Sequence, residues 1–288
     1  MSIKTMTFIL LIFCLMLAVH WVVFKSAVYF FDITRPGHRL LAYTAMALLS
    51  MSFISAFVMI HRHENAFTIG FYRFAAFWTG FIIHCLTAVA AAWIILAAAR
   101  LAGSKISSGW IGGISLALAL GASAYGTWAA FYPKIRHIDI PVQTVPDQWE
   151  NRSIVLLSDL HIGHMHKAGF LSRVVDMVNS EKPDLVLITG DLVDGMGGSY
   201  AENLEPLKDL ETGRGIFFVT GNHEHYVGLE KSLNLIKNTP LKVLDNKLIE
   251  ISGLEIIGVS YPGINSVSDI ENLPETRQPG CIRIAMFH

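Results

Sequence analysis

Four apolar stretches in the first 132 residues constrain this chain more than any other feature. They lie at residues 6–24, 40–60, 74–99 and 110–131. Each approaches or exceeds the ~20 residues that a helix needs to cross a hydrocarbon core of about 30 Å. The helices of a soluble bundle would carry polar faces, and these stretches have almost none. The pattern therefore predicts an all-α transmembrane region of four helices over residues 1–132.

The topology of this region is only partly determined by its sequence. A cleavable signal peptide is an alternative for the first stretch, but no small-x-small cleavage site follows it, so we expect it to be retained. Basic residues flank the two faces of the predicted bundle equally, five on each, so the positive-inside rule leaves its orientation open. His20 and His84 lie inside spans, and we interpret them as helix–helix contacts rather than functional groups.

Charge separates the two halves of the chain. Residues 1–132 carry a formal charge of +6 and residues 133–288 carry −7, within an overall charge of −1. Neither half has the basic stripe that a nucleic-acid surface needs, so no nucleic-acid partner is expected, whereas a lipid bilayer is. Cys14, Cys85 and Cys281 provide neither a disulfide framework nor zinc-knuckle spacing.

The pattern changes after the last apolar stretch. Residues 133–150 are expected to form a linker or an edge strand, with Pro141 and Pro146 interrupting them. Over residues 151–288, short β-branched runs alternate with amphipathic stretches, which predicts an α/β domain with a largely parallel sheet and a second sheet packed on it. Strands are expected at residues 153–158, 185–189, 216–220, 241–244, 249–251, 255–259 and 282–287, and helices at 168–179, 201–209 and 229–238.

Polar residues follow the first three of these strands, directly after each strand ends. They are Asp159 and His161, then Asp191, then Asn222 and His223, at intervals of 32 and 31 residues. Each interval matches one β-α-β unit of about 30 residues. Because neighbouring parallel strands lie about 4.8 Å apart, these side chains are expected to meet in one crevice at the carboxyl edge of the sheet. Oxygen and imidazole donors without thiolates suit divalent Mn, Fe, Zn or Mg.

Three short motifs carry a resemblance to a known family. Asp-Leu-His at 159–161, Gly-Asp at 190–191 and Gly-Asn-His-Glu at 221–224 are similar to the first three signature blocks of the calcineurin-like metallophosphoesterases. The family has a fourth block, a histidine at the end of a later strand, and His288 is in such a position. The resemblance covers residues 150–288 and implies two packed β-sheets flanked by helices.

The resemblance also implies a role for each residue. Asp159 and His161 would bind one metal ion, Asp191 would bridge both, and Asn222 and His288 would bind the second. His223 and Glu224 would be catalytic: His223 would face the phosphate and stabilise or protonate the leaving oxygen, and Glu224 would orient its imidazole. The implied activity is cleavage of a phosphoester, phosphodiester or pyrophosphate bond by hydroxide that two divalent ions generate. The substrate would be a phosphorylated small molecule or a lipid-linked phosphate at a bacterial inner membrane.

The family pattern has a fifth block, Gly-His-x-His, which this sequence lacks. We therefore expect a C-terminally incomplete domain, either a fragment of a longer protein or a degenerate member, with little activity in these 288 residues. A non-catalytic membrane sensor or binding protein remains the alternative function. Around the motifs, His164 and His166 are expected to be solvated loop residues, and Asp194 a cap or loop hydrogen-bonder. Tyr226 could line the cleft or serve packing.

Overall fold

The chain consists of a helical unit, Met1–Tyr132, and an α/β unit, Pro133–His288. In this computed structural model, residues 3–142, 145–263 and 282–288 are described. The helices of the first unit are α1 (Ile3–Phe30), α2 (Pro36–Ser50), α3 (Ser52–Arg62), α4 (Ala66–Leu101) and α5 (Ser108–Phe131). Three of them, α1, α4 and α5, are long and apolar enough to cross a membrane. The unit thus has the composition of a multi-pass membrane protein, with three spans, or four if α2 and α3 together form one.

The second expected span is two helices, α2 and α3, and not one continuous helix. Within residues 40–60 the chain bends by 45° between α2 and α3. Two serine hydroxyls flank the bend, and they donate to backbone carbonyls three residues back: Ser50 to Ala47 (2.8 Å) and Ser52 to Leu49 (2.7 Å). Side chains that bond to carbonyls in this way compete with the helical ladder and bend it. Hydropathy does not detect this competition.

Polar contacts between helices involve both histidines of the spans. Trp78 Nε1 on α4 donates to His20 Nε2 on α1 (3.0 Å), and the other ring nitrogen of His20 bonds to the Met16 carbonyl (2.8 Å). His84 on α4 bonds through Nδ1 to Ser123 Oγ on α5 (3.0 Å). Both histidines therefore make the helix–helix contacts that were expected of them.

The α/β unit contains two sheets within its described residues. The first has four parallel strands in the order β1-β2-β3-β4, and the second has β5 antiparallel to β6 and β6 parallel to β7. The strands are β1 (Ile154–Leu157), β2 (Leu185–Thr189), β3 (Ile216–Val219), β4 (Leu241–Val243), β5 (Lys247–Ile251), β6 (Leu254–Gly258) and β7 (Ile282–Met286). The helices are α6 (Ala168–Ser180), α7 (Tyr200–Leu204), α8 (Asn222–Val227) and α9 (Leu229–Ile236).

Both faces of β2, the second strand of the parallel sheet, are buried. On β2, Val186 and Ile188 pack with α6, while Leu185 and Leu187 pack with Ile256 and other residues of the second sheet. Successive residues of a strand point to opposite faces, so a strand covered on both sides reads as a continuous apolar run. The expected pair of packed sheets flanked by helices is confirmed.

Two expected elements differ in the structure. A linker or an edge strand was expected over residues 133–150. Residues 138–142 form no strand, so the edge strand is not observed there. The expected helix at 201–209 is instead α7 followed by a 3₁₀ turn, Glu205–Asp209. Pro206 explains the change, because it has no N–H for an α-helical bond and its ring clashes with the preceding turn. Helix α8, which contains Asn222 and His223, was not anticipated.

Candidate metal centre

The three neighbouring strands β1, β2 and β3 end at the same edge of the parallel sheet. Their register pairs Leu157 with Ile188 and Thr189 with Val219. Parallel pairing in adjacent positions therefore brings the loops after these strands together, as the spacing of the motifs predicted.

The backbone of these loops adopts an unusual conformation at the ligand positions. Asp159, His161 and Asp191 all have positive φ, at 55°, 45° and 51°. Such a conformation costs roughly 1–3 kcal/mol per residue outside glycine and persists only where neighbouring structure imposes it. Here the first loop is tied to the second, because Asp159 N donates to the Gly190 carbonyl (3.3 Å) and His161 N to the Asp191 carbonyl (2.9 Å).

Asp191 lies at the centre of the site. It is 3% exposed, and its Oδ2 atom faces the Nε2 atoms of three imidazoles. The distances are 3.8 Å to His161, 3.8 Å to His223 and 3.3 Å to His288. Its other oxygen, Oδ1, accepts a hydrogen bond from the His223 backbone N–H (3.0 Å). One buried carboxylate thus connects donors from the ends of β1, β2, β3 and β7.

Two groups of donors share this carboxylate. One consists of His161, Asp191 and His223, and the other of Asp159, Asp191 and His288; within each group the ligand atoms lie within 4.8 Å of one another. Asn222 extends the second group, since its Oδ1 lies 3.2 Å from His288 Nε2. Ser158 Oγ, which the sequence did not single out, donates to Asp159 Oδ2.

The tautomers of two imidazoles suit a cation. His223 Nδ1 contacts the Asp194 carbonyl (2.6 Å) and His288 Nδ1 contacts the Thr189 carbonyl (2.9 Å). A carbonyl only accepts, so each Nδ1 carries the proton and, in the neutral ring, Nε2 presents its lone pair to the Asp191 carboxylate. Lone pairs and a carboxylate repel one another unless a positive charge lies between them. The donor set and its orientation therefore fit divalent metal ions.

The residues predicted from the sequence come together, and the one difference concerns the position of His223. Asp159, His161, Asp191, Asn222 and His288 all lie at this site, as expected from their positions at strand ends. His223, for which a role outside the metal shell was expected, lies as close to Asp191 Oδ2 as His161 does.

Glu224 has different partners from those expected. Its buried carboxylate accepts four backbone N–H groups: Gly221 (2.7 Å), Leu192 (2.9 Å), Asp191 (3.0 Å) and Val193 (3.2 Å). The contact that orients the His223 ring comes instead from the Asp194 carbonyl. The reason is geometric: Glu224 lies in the first turn of α8 and points back into the loop after β2. The Glu224 carboxylate thus joins the loop after β2 to the start of α8.

Asp194 is a loop hydrogen-bonder, in line with one of its expected roles. Its carboxylate accepts from the Met196 N–H (2.8 Å) and from the Tyr200 hydroxyl (3.0 Å). Burial, and then the Asp194 charge, raise the pKa of Tyr200 well above its usual range, so the phenol keeps its proton and donates. The spacing of Asp194 and Tyr200, six residues apart, gave no sequence signal of this contact.

The two histidines of the first loop are less exposed than expected. His164 is 2% exposed, so its expected place as a solvated residue is wrong. His166 stacks on Phe170, with ring centroids 4.0 Å apart, and bonds to the Leu160 carbonyl (3.1 Å). Tyr226 is 68% exposed, and its ring lies 5.2 Å from that of His223, which favours the cleft over the core.

Gly190 permits the close approach of the loop after β2 to Gly221 and His288 at the candidate site. Its φ is +77°, and a Cβ atom there would lie 2.7 Å from both Gly221 N and His288 Cγ. We expect Gly190→Ala to destabilise the α/β unit by about 2–4 kcal/mol, because it adds backbone strain to a clash with backbone atoms. Thermal unfolding of the purified chain in detergent measures this effect.

Gly263→Ala is the matched control for that substitution. Gly263 has a similar φ of +74°, but no described residue lies within 4 Å of the added atom, so the variant should show only the strain, about 1 kcal/mol. Equal losses in the two variants would contradict a role for close packing at Gly190.

Comparisons with known proteins agree with this geometry. Residues 152–281 match the sequence profile of the family described as calcineurin-like phosphoesterase. An uncharacterized metallophosphoesterase of Helicobacter pylori is 34% identical over 137 residues, which make up 46% of this chain and 36% of that protein. An uncharacterized metallophosphoesterase of Aquifex aeolicus is 31% identical over 142 residues, 49% of this chain and 53% of that protein.

One similar protein combines both types of region. A transmembrane protein with metallophosphoesterase domain of Danio rerio is 30% identical over 250 residues, 78% of this chain and 56% of that protein. An alignment of this length extends beyond the α/β unit into the helical one. The chain spans 36% to 56% of the length of these three relatives.

Proposed function

We propose that this chain, whose α/β unit matches the calcineurin-like phosphoesterase family over residues 152–281, is part of a membrane-anchored, metal-dependent phosphohydrolase. The reaction is hydrolysis of a phosphoester, phosphodiester or pyrophosphate bond. The observation that carries the proposal is the position of Asp191: a buried carboxylate whose Oδ2 lies within 3.8 Å of imidazole nitrogens from three separate segments of the chain.

Two divalent metal ions are the proposed cofactors, with Mn, Fe, Zn and Mg as candidates. Asp159 and His161 hold one ion, Asn222 and His288 hold the other, and Asp191 is shared between them. The membership of Asp191 in both donor groups supports its shared position. The proposed pairs rest on the distances of 3.7 Å between Asp159 Oδ1 and His161 Nε2 and of 3.2 Å between Asn222 Oδ1 and His288 Nε2. When bound, a pair of such ions clamps a phosphoryl group and supplies the nucleophile at neutral pH.

His223 is proposed to act on the substrate rather than on the metal ions. Its hydrogen bond to the Asp194 carbonyl fixes the ring, so Nε2 is the atom that faces the site. Its side chain is 27% exposed, compared with 5% for Asp191, so a phosphate oxygen can reach it. With both ring nitrogens protonated, a positioned imidazole of this kind donates the Nε2 proton to the leaving oxygen and returns to the neutral form. General acid catalysis of this type typically accelerates a reaction 10²–10⁴-fold. Glu224 supports this group indirectly, through the backbone of both loops.

His223→Asn separates this role from metal binding. In the full-length protein we expect kcat for bis(p-nitrophenyl) phosphate with added Mn²⁺ to fall about 100-fold, while the metal content stays that of the wild type. His137→Asn is the control, because His137 is an exposed residue whose ring lies 3.8 Å from the Glu181 carboxylate and which belongs to neither donor group. A metal content that fell together with turnover would make His223 a ligand and contradict the assignment.

The same assay distinguishes the two candidate functions. A wild-type protein that retains its metal ions but hydrolyses neither phosphomonoesters, phosphodiesters nor pyrophosphates would be a non-catalytic sensor or binding protein. Turnover that chelation with EDTA abolishes and Mn²⁺ restores supports the hydrolase.

A lipid-linked phosphate is the proposed substrate class, with a phosphorylated small molecule as the alternative. Only 22 residues separate Phe131 at the end of α5 from Ile154 at the start of β1, so a short segment ties the α/β unit to the last apolar helix. A bacterial inner membrane is the proposed location, which the Helicobacter pylori and Aquifex aeolicus relatives support. Hydrolysis of a lipid-linked pyrophosphate in vesicles, compared with its soluble headgroup, tests the substrate class.

A further inference from the structure

A cavity with a mixed polar and apolar lining is located at the ends of three apolar helices of the helical unit. α1 ends at Phe30, α4 ends at Leu101 and α5 begins at Ser108. The cavity has a volume of about 330 Å³, at the lower end of the roughly 300–1,000 Å³ typical of ligand pockets. The ends of membrane-spanning helices lie at the level of the lipid headgroups. With α1 and α5 spanning the bilayer, the cavity is near one of its surfaces, where phosphate groups of lipids are concentrated.

The lining of this cavity is positively charged. Arg100 and Lys105 both contribute to it, together with hydroxyl groups of Tyr29, Ser104 and Ser108. Among the residues that the structure describes, no aspartate or glutamate lines the cavity. Two cations and three hydroxyl donors without a carboxylate form a surface that prefers an anion, and phosphate in particular.

The guanidinium of Arg100 is held in place. Its Nη2 atom donates to the Tyr29 hydroxyl (2.5 Å), and the Tyr29 ring packs on Trp93 with centroids 4.9 Å apart. One donor of Arg100 is used in this way, and a guanidinium has five. The remaining donors can bind a ligand without the entropy cost of ordering a free arginine.

The start of α5 adds further donors to the same place. Its N-cap residue, Ser107, makes no side-chain capping hydrogen bond. The N–H groups of the first turn of a helix have no partner within the helix, and the helix dipole adds a partial positive charge there. Both favour an anion next to the hydroxyl of Ser108.

We propose that this cavity binds the phosphate group of an anionic phospholipid. The apolar part of the lining, which includes Leu96, Ala99 and Ile106, provides contacts for the start of an acyl chain that a free phosphate ion would not use. Exposed aromatic rings of Tyr29 and Trp93 at the same level are typical of the membrane interface. The inference concerns the helical unit alone and does not depend on the proposed hydrolase function.

Removal of both charges tests the proposal. The full chain is purified in a zwitterionic detergent and titrated with phosphatidylglycerol or phosphatidylcholine, and bound lipid is counted by native mass spectrometry. We expect the wild type to prefer phosphatidylglycerol. Arg100→Gln/Lys105→Gln should weaken its binding about tenfold, or ~1.4 kcal/mol. The swapped pair Arg100→Lys/Lys105→Arg keeps both charges and should retain most of the affinity, which separates loss of binding from loss of fold.

Arg62→Gln/Lys134→Gln is the matched control. Both residues are exposed and line no part of the cavity, and the double variant loses the same net charge. Equal loss in this control and in the Arg100/Lys105 variant would overturn the proposal, because binding would then follow overall charge. Phosphatidylglycerol binding that inorganic phosphate fully displaces, or that phosphatidylcholine matches, would also overturn it.

Discussion

Asp191→Asn is expected to abolish metal-dependent hydrolysis. The substitution keeps the shape of the side chain and the Oδ1 acceptor for the His223 N–H, but it removes the negative charge that faces three imidazoles. Without a shared carboxylate, two like-charged ions are not held close together. We expect turnover of bis(p-nitrophenyl) phosphate with Mn²⁺ to fall to the uncatalysed background in the full-length protein.

Metal content provides a second readout for this substitution, on the 288-residue chain itself. After dialysis against trace Mn²⁺, elemental analysis should show the loss of bound metal in Asp191→Asn and its retention in Asp176→Asn, a control at an exposed position of α6. With chelator present, both variants should unfold at the wild-type temperature, because the amide oxygen introduced by Asp191→Asn still accepts the His223 backbone hydrogen bond. Wild-type metal content and turnover in Asp191→Asn would refute the bridging role.

Glu224→Ala is expected to cause the largest loss of stability in the α/β unit. The carboxylate is 2% exposed and accepts four backbone N–H groups from two loops. Removing it leaves these donors buried without a partner, which costs about 1–3 kcal/mol for each group that water does not reach. A total loss of at least about 4 kcal/mol corresponds to a decrease of roughly 10 °C in unfolding temperature for a domain of this size.

The experiment on Glu224 is made without metal, so that folding is separated from metal binding. Glu224→Gln keeps one oxygen that can accept two of the four bonds, while its NH2 group faces the other two N–H donors, so it should show at least half of the effect. Glu211→Ala, at an exposed loop position, is the control and should change the unfolding temperature by less than about 2 °C. An unfolding temperature near that of the wild type in Glu224→Ala would contradict the role of this carboxylate.

The general architecture was predictable because the spacing of apolar residues indicates which faces of helices and strands are buried. The described strands of the α/β unit, β1 to β7, overlap the strands expected from short β-branched runs, and the apolar stretches of the helical unit became α1, α4, α5 and the pair α2 and α3. The sequence also pointed to the right edge of the sheet, since Asp159, Asp191 and Asn222 each follow a strand of a parallel sheet. These patterns are local, and each can be recognised within a window of about 20 residues.

Contacts between distant segments were less predictable. The expected partner of Glu224 was its neighbour His223, yet the carboxylate reaches back to residues 191–193 in the preceding loop. His164 was expected in solvent and is buried. The bend between α2 and α3 depends on two serine hydroxyls, each of which bonds to a carbonyl three residues back. In each case specific hydrogen bonds or packing contacts outweigh the average tendency of the residue type.

The sequence by itself determined the membrane-type helices, the α/β domain and the set of oxygen and imidazole donors, because hydrophobic periodicity and strand spacing are properties of a linear chain. Only the tertiary structure decided that Asp191 Oδ2 is the atom on which His161, His223 and His288 converge. It also decided that backbone carbonyls orient two of those rings. Such distances depend on how left-handed turns at Asp159, His161 and Asp191 aim side chains across a packed sheet, and no periodicity in the sequence encodes that direction.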